Sequence, residues 1–365
     1  MRQRWRFSGY ARAIYGIDGL GLLHRSYTFP SSQTQRPAIH GRVLPRKSHF
    51  MTELFRDVDG GLLCPDGSVV CIGAFDGLHL GHRALVRHAV ARARVLGVPA
   101  VALSFEPLPR EFFAPTAPPP RLDLPRAKFE GLCALGADLV GLLRFDARMA
   151  AMSPEEFVQT VLVKRIAARE VLVGPEFRFG HRRAGDIESL RRAGELHGFV
   201  ADEIAPVLLD GERVSSTRIR TALTAGDFAA AARLLGRPYA ISGRVVRGSR
   251  LGRTLGYPTA NLRFRKIPAL QGIYATRVHG VADAPWPSVS SFGTRPTVGG
   301  VEPLLEAHLF DFDGDLYGRR IEIEFVARLR DEEKFPDLPT LVAQMDRDAA
   351  QARAILTKAP QRATA

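Results

Sequence analysis

The 365-residue chain is 45% hydrophobic and 24% charged, the make-up of a globular protein with room for two domains and an extension. Its net charge is +13, but residues 1–50 hold nine Lys or Arg against the single acid Asp18, so eight of the thirteen charges lie in that stretch; the remainder is too weakly basic to suggest nucleic acid, and no zinc-finger spacing or aromatic-rich RNA-binding strand pair accompanies it. No apolar run reaches the roughly 18 residues of a membrane-spanning helix, and three cysteines (Cys64, Cys71, Cys133) form neither a disulfide framework nor a metal spacing, which suits a cytoplasmic protein in a reducing compartment.

Residues 1–50 mix Arg, Ser, Gly and Pro without periodicity, and little stable structure is expected there. An Arg-rich targeting peptide is one reading. The favoured one is a natural start at Met51, with MTELFRDVDGG leading into the first strand. From residue 68, strands are expected at Ser68–Ile72, Ala100–Phe105, Asp138–Arg144, Val171–Val173 and Ile204–Val207. A helix over 84–96 carries Leu85, Ala89 and Ala93 on one face, and another over 155–166 is capped by Ser153 with Pro154 at its first position. Such alternation predicts a Rossmann-like, mostly parallel α/β sheet covered on both faces. Pro115 to Pro125 reads as an exposed loop.

The texture changes near residue 236, where Gly236-Arg237-Pro238-Tyr239 reads as a linker. Beyond it, short β-type runs at 240–247, 272–278, 288–292, 305–310 and 320–329 predict an antiparallel barrel. A C-terminal helix over 338–356 places Leu341, Met345 and Ala349 on its apolar face. The expected domains are therefore 51–236 and 237–356, with an extension at 1–50 and a tail at 357–365.

Gly73-Ala74-Phe75-Asp76-Gly77-Leu78-His79-Leu80-Gly81-His82 falls between the first strand and the first helix. In a parallel sheet, ligands bind beyond the carboxyl ends of the strands. A helix N-terminus offers free N–H groups to a phosphate, and imidazoles there can stabilise charge developing on an attacked α-phosphorus. Gly81 would let the backbone approach the phosphates. Two further patches follow strands or open helices: Val173-Gly174-Pro175-Glu176-Phe177-Arg178-Phe179-Gly180 and Val214-Ser215-Ser216-Thr217-Arg218-Ile219-Arg220. Ser and Thr at a helix start cap N–H groups or bind phosphate oxygens, and Arg218 offers a fork to a polyphosphate. Taken alone, this last patch reads more readily as a helix cap with surface arginines.

Together the three patches resemble the FAD synthetase module of the bacterial bifunctional riboflavin kinase/FAD synthetase family, with GxFDGxHxGH, VGxDFRFGxxRxGD and SSTxIR in order, and Phe105-Glu106-Pro107 matching its FEP element. The resemblance implies that His79 and His82 polarise ATP phosphates, that Gly73, Phe75, Gly81 and Glu176 line the nucleotide site, and that Ser216, Thr217 and Arg218 hold the pyrophosphate end. One departure stands out. Glu176 takes a place often held by Asp or Asn, and the preceding Pro175 lacks an amide donor; a carboxylate there can still approach a metal, but its longer arm changes the reach.

The second half continues the match through Gly248-Ser249-Arg250-Leu251-Gly252-Arg253-Thr254-Leu255-Gly256-Tyr257-Pro258-Thr259-Ala260-Asn261-Leu262, then Phe292 to Val298, Leu305 to Asp311 and Arg330 to Phe335. The glycine-rich stretch is no P-loop, because no G-K-[ST] closes it. Thr259 and Asn261 sit two apart, on one face of an extended strand. By resemblance Gly248, Gly252, Arg253 and Gly256 wrap ATP, Thr259 and Asn261 hold Mg²⁺, Glu306 is the base, and Arg330 and Phe335 meet the flavin. The resemblance spans residues 68 to 355 and implies an enzyme that phosphorylates riboflavin to FMN and adenylylates FMN to FAD, using ATP and Mg²⁺, with no nucleic-acid or membrane partner. Oligomeric state is not written in the sequence.

Overall fold

The computed structural model describes residues 3–4, 52–248, 251–264, 266, 269–297 and 300–358. The expectation for residues 1–50 lies outside these, save Gln3–Arg4 (β1), which pairs antiparallel with β2 (Glu53–Phe55). From β2 onward the first sheet is parallel. It adds β3 (Ser68–Ile72), β4 (Ala100–Glu106), β5 (Leu139–Arg144), β6 (Ala168–Val173) and β7 (Val200–Glu203), in the order β1-β2-β5-β4-β3-β6-β7.

All of β3 is buried because both faces of the sheet are covered. Val69 and Cys71 face α1 (Leu80–Leu96) and α2 (Pro125–Ala134), meeting Leu85, Val86, Ala89, Phe129 and Leu132. Val70 and Ile72 face the other way, onto Phe157, Val161, Leu162 and Leu190. The last of these belongs to α3 (Ile187–His197). Each such side chain, fully buried, contributes about 1.5–3 kcal/mol. Ser153 caps the segment before it as expected, its Oγ accepting from the Glu156 N–H at 3.1 Å. The helix it starts, however, turns π-helical over Val158–Arg165.

Two expectations need correction. The strand expected at Ile204–Val207 lies earlier, at β7, and only the Ile204 N–H still reaches the sheet, at the Val173 carbonyl (3.0 Å). Pro206 has no N–H to continue the ladder. The segment read as an exposed loop is buried at its end: Arg121, Leu122 and Asp123 are 1%, 3% and 2% exposed. Tertiary partners, described below, draw it in.

A small hairpin, β8 (Leu208–Leu209) and β9 (Glu212–Arg213), leads into α4 (Ser216–Thr224) and α5 (Phe228–Leu235). The second sheet is antiparallel throughout. Its strands β10 (Ala240–Arg244), β11 (Ala260–Arg263), β12 (Gly272–His279), β13 (Trp286–Thr297), β14 (Gly300–Leu309) and β15 (Arg320–Arg330) run in the order β10-β15-β12-β13-β14-β11. The Val246 N–H donates to the Asn261 carbonyl at 2.8 Å, which nearly closes the sheet into a barrel.

Leu262, Tyr274, Val278, Phe292, Leu305 and Ile323 fill the interior, and Ile219, Leu223, Phe228 and Leu234 of α4 and α5 join the same cluster. On the outside, α6 (Leu338–Lys358) lays Ala349, Ala352 and Leu356 on Ala275, Val289 and Phe310. Within the 236–239 segment, Arg237 and Tyr239 are buried where the two halves meet. Arg237 pairs with Asp123 at 3.1 Å, both almost wholly buried, and Arg320 of the barrel reaches Glu130 of α2 at 2.8 Å.

Candidate active sites

At the carboxyl end of β3 the chain makes a tight turn into α1, with positive φ at Phe75 (48°), Gly77 (93°) and Leu78 (42°). Non-glycine residues in this region store strain. Asp76 holds the turn in place: one carboxylate oxygen accepts from the Leu122 and Asp123 N–H groups at 3.0 and 3.1 Å, and the other pairs with Arg220. Its carbonyl accepts from Ser216 Oγ at 2.8 Å. The GAFDG turn, the 122–123 segment and the start of α4 are thus tied at one residue, while the preceding Arg121 is drawn in by Glu106 and Glu111.

His79 is the N-cap of α1, its Nδ1 accepting from the His82 N–H at 3.2 Å. With Nδ1 used as acceptor, the neutral ring carries its proton on Nε2. The two imidazoles stack with centroids 3.7 Å apart, and Phe75 meets His82 edge-on at 5.3 Å. Burial first, then Arg213, depresses His79 to about 4; burial, then His79, Lys128 and Arg213, holds His82 well below its ordinary value. Both rings are therefore neutral hydrogen-bonding groups at pH 7. Gly81 has a reason the sequence did not disclose. A Cβ there would sit 3.2 Å from His79 Cε1 and 3.3 Å from its Nδ1, so glycine makes room for the capping ring.

The SSTRIR segment does open a helix, capped by Ser215 Oγ on the Arg218 N–H at 3.3 Å. Thr217 is exposed in its first turn. Arg218 spends its guanidinium on the carbonyls of Leu209, Glu212 and Arg213 at 3.3, 3.0 and 3.2 Å, fastening the β8–β9 hairpin. Arg213 on that hairpin pairs with Glu176 at 2.8 Å and donates to the Pro175 carbonyl at 3.1 Å. Glu176 is exposed and has φ of 62°, a conformation that Asn and Asp adopt more readily.

No motif marked Lys128, Arg213, Phe112, Phe113 or Phe145; of the aromatic group at the ends of β4 and β5, Phe105 alone fell in a motif, the FEP element. In that group Phe145 lies 5.7, 5.4 and 5.8 Å from Phe105, Phe112 and Phe113, and Phe113 stays 66% exposed. Aromatic residues at the ligand-binding edge of a parallel sheet are the signal that could have found them.

The second site lies between the outer face of the barrel and α6, in a cavity of about 640 Å³. Gly252, Thr259, Asn261, Glu306, Arg330 and Phe335 all line it. Asn261 is the register partner of Glu306 across β11 and β14. Thr259 Oγ1 accepts from Asn261 Nδ2 at 3.2 Å and lies 3.5 Å from Glu306 Oε1. A Cβ on Gly248 would fall 2.8 Å from Asn261 Oδ1, and one on Gly252 would fall 2.3 Å from the Tyr257 carbonyl, so both glycines admit close neighbours. Gly256 takes a positive φ of 84°. The side chain of Arg253 lies outside the described ones.

Arg330 stacks over Phe335 at 5.7 Å and is gripped by Asp348 of α6 through contacts of 2.7 to 3.1 Å. Gln344 donates to the same carboxylate at 2.9 Å. Asp348, only 4% exposed, went unnoticed in the sequence because it is polar on a helix read by its apolar stripe.

Thr259 and Asn261 offer oxygen donors of the hard kind that Mg²⁺ takes, with the Glu306 carboxylate beside them. Among the described residues no group of three His, Cys, Asp or Glu gathers to hold a metal, so a cage of protein carboxylates is absent there.

A family model for FAD synthetase matches residues 63–218, and one for riboflavin kinase matches residues 235–356. The bifunctional riboflavin kinase/FMN adenylyltransferase of Escherichia coli (strain K12) is 43% identical over 289 residues, 79% of this chain and 92% of its own length. Its counterpart from Pseudomonas fluorescens is 45% identical over 300 residues, 81% of this chain and 95% of its own. A crystal structure of a macrolide-efflux protein from Streptococcus pneumoniae aligns with a TM-score of 0.65 at 30% identity, covering 82% of this chain and 98% of that one. The likeness there is one of architecture. Among the described residues of this chain, no helix is long and apolar enough to cross a membrane.

Proposed function

The chain belongs to the family of bifunctional riboflavin kinase/FMN adenylyltransferases, and on that premise we propose how its residues divide the work. It is an enzyme with both activities: it transfers the γ-phosphoryl group of ATP to riboflavin, giving FMN, and then transfers AMP from ATP to FMN, giving FAD and pyrophosphate. The division falls between residues 51–236 for adenylyl transfer and 237–356 for the kinase, with α4 and α5 packed into the barrel core.

In the kinase, Glu306 accepts the proton of the primary hydroxyl of riboflavin as that oxygen attacks the γ-phosphorus. Thr259 and Asn261 hold Mg²⁺, which when bound offsets charge on the β- and γ-phosphates. Gly248, Gly252, Arg253 and Gly256 wrap the nucleotide, and Arg330 with Phe335 faces the flavin. The observation that carries this reading is the convergence of Thr259, Asn261 and Glu306 on one wall of a cavity whose other wall is Arg330 and Phe335.

In the α/β domain, Gly73 and Phe75 shape the turn, and His79 presents its Nε2–H to the ATP phosphates beside His82. A neutral His79 suits this task, because its Nδ1 accepts at the helix cap while its Nε2–H stays free to donate to a phosphate oxygen. Ser216, Thr217 and Arg218 hold the pyrophosphate end, which asks Arg218 to exchange backbone carbonyls for phosphate oxygens. Glu176 with Arg213 borders the same site. The aromatic group around Phe145 offers a stacking face for the FMN ring.

Incubation with riboflavin, ATP and Mg²⁺, followed by chromatography, tests the whole scheme. FMN and then FAD are expected, and chelation should stop both steps. Folded protein that leaves riboflavin unchanged in the presence of metal would refute it.

A further inference from the structure

Lys128, on α2, is fully buried. Its Nζ donates to Ser104 Oγ at 3.2 Å and to the Phe105 carbonyl at 3.5 Å. Neither acceptor is a carboxylate. Burying a cation is costly, and among the described contacts no carboxylate meets this ammonium directly; Glu106, Asp76 and Asp123 offset its charge from a distance. Ser104, also fully buried, in turn donates to the Ala74 carbonyl at 3.0 Å. Ala74 belongs to the turn that carries three positive φ angles in four residues, at Phe75, Gly77 and Leu78. Such a turn persists only where its surroundings over-determine it. Asp76 supplies one set of ties, and the Lys128–Ser104–Ala74 chain supplies another from the far side of β4.

We propose that Lys128 is a positioning residue for adenylyl transfer: through Ser104 it holds the Ala74 carbonyl, and so the turn that delivers His79 and His82, while keeping a positive charge within reach of His82. Arg121, Glu106, Asp76 and Asp123 are the charged groups that face Lys128 from the neighbouring segments. Around His82 stand His79, Lys128 and Arg213. The depressed value of His82 agrees with this arrangement, burial being its first cause. The inference rests on the assignment of AMP transfer to His79 and His82.

The test compares Lys128→Met, Ser104→Ala and the double variant in FMN adenylylation, with riboflavin phosphorylation as an internal control of folding. Each single change should lower the adenylylation kcat by about tenfold to a hundredfold, the scale of a small misplacement of catalytic groups. Phosphorylation should stay within about twofold, and the double variant should be no worse than the worse single one, because both changes cut one chain. Lys128→Met should also move the acid limb of the adenylylation pH profile upward, since protonating His82 becomes easier; Ser104→Ala should leave that limb in place.

Additive losses, an unmoved limb in Lys128→Met, or wild-type kcat in either single variant overturns the proposal. Should Lys128→Met lose kinase activity as well, through misfolding, Ser104→Ala decides alone by its kcat. If His82→Ala is inactive in adenylylation while Lys128→Met is normal, only the role of Lys128 falls. A fully active His82→Ala removes the premise itself.

Discussion

Asn261 and Glu306 face each other across β11 and β14, forty-five positions apart in the chain, and Thr259 Oγ1 completes the cluster 3.5 Å from the Glu306 carboxylate. The residues proposed to hold the metal and the proposed general base therefore share one patch of the barrel wall. Neither element alone makes that patch; the antiparallel register does.

Glu306→Ala should reduce FMN formation by about a hundredfold to ten-thousandfold, the usual contribution of a positioned base. Adenylylation of supplied FMN should be largely intact, because the histidines stand in the other domain. Parallel assays with riboflavin and with FMN as substrate check this, and equal loss of both activities would contradict separate sites.

His82→Ala should do the reverse. FAD formation from FMN is expected to drop by about a hundredfold or more, as when a preorganised donor to a developing charge is removed, while riboflavin is still phosphorylated. Accumulation of FMN without FAD in a riboflavin assay is the diagnostic product pattern.

Asp348→Asn should loosen Arg330 and raise the KM for riboflavin, with less effect on the KM for ATP and none on adenylylation. Losing one partner of a buried, charge-assisted contact costs about 3–5 kcal/mol where the charge is left uncompensated; partial exposure of Arg330 reduces this, so a rise of about tenfold to a hundredfold is expected. Steady-state kinetics with riboflavin varied, then ATP varied, separates the two effects.

Acidification should destabilise the α/β domain. His79 titrates at about 4 in the folded protein, burial being the main cause, against roughly 6.5 unfolded. Between those values the unfolded chain binds more protons, so stability falls as pH drops from about 6.5 toward 4, by up to about 3 kcal/mol. Thermal melts at pH 7 and pH 5 measure the slope. His79→Asn, which keeps an acceptor at the helix cap, should flatten it, and an unchanged slope would assign the effect elsewhere.

Much of this was legible in the chain. The apolar run Ser68–Ile72 and the glycine frame behind it specify a buried strand and a turn, since both are decided by neighbours a few residues away. Thr259 and Asn261 could be placed on one strand face for the same reason. The hidden part was long-range. Arg121 to Asp123 looked like an exposed, proline-rich loop, and are buried because Glu106 and Glu111 take the Arg121 guanidinium, Asp76 the amides of Leu122 and Asp123, and Arg237 the Asp123 carboxylate. Lys128 carried no motif, and its meaning comes from Ser104, 24 residues away. Arg218 looked like a phosphate fork, yet its guanidinium is occupied by the hairpin carbonyls.

The sequence by itself determined the two architectures, their order, and the glycine-framed turn behind β3, because periodicity and glycine spacing act over short stretches of backbone. The tertiary structure alone decided which side chains meet: Asn261 with Glu306, Arg330 with Asp348, Lys128 with Ser104. Those meetings depend on strand register and helix packing, which emerge only when distant segments bury their apolar faces together.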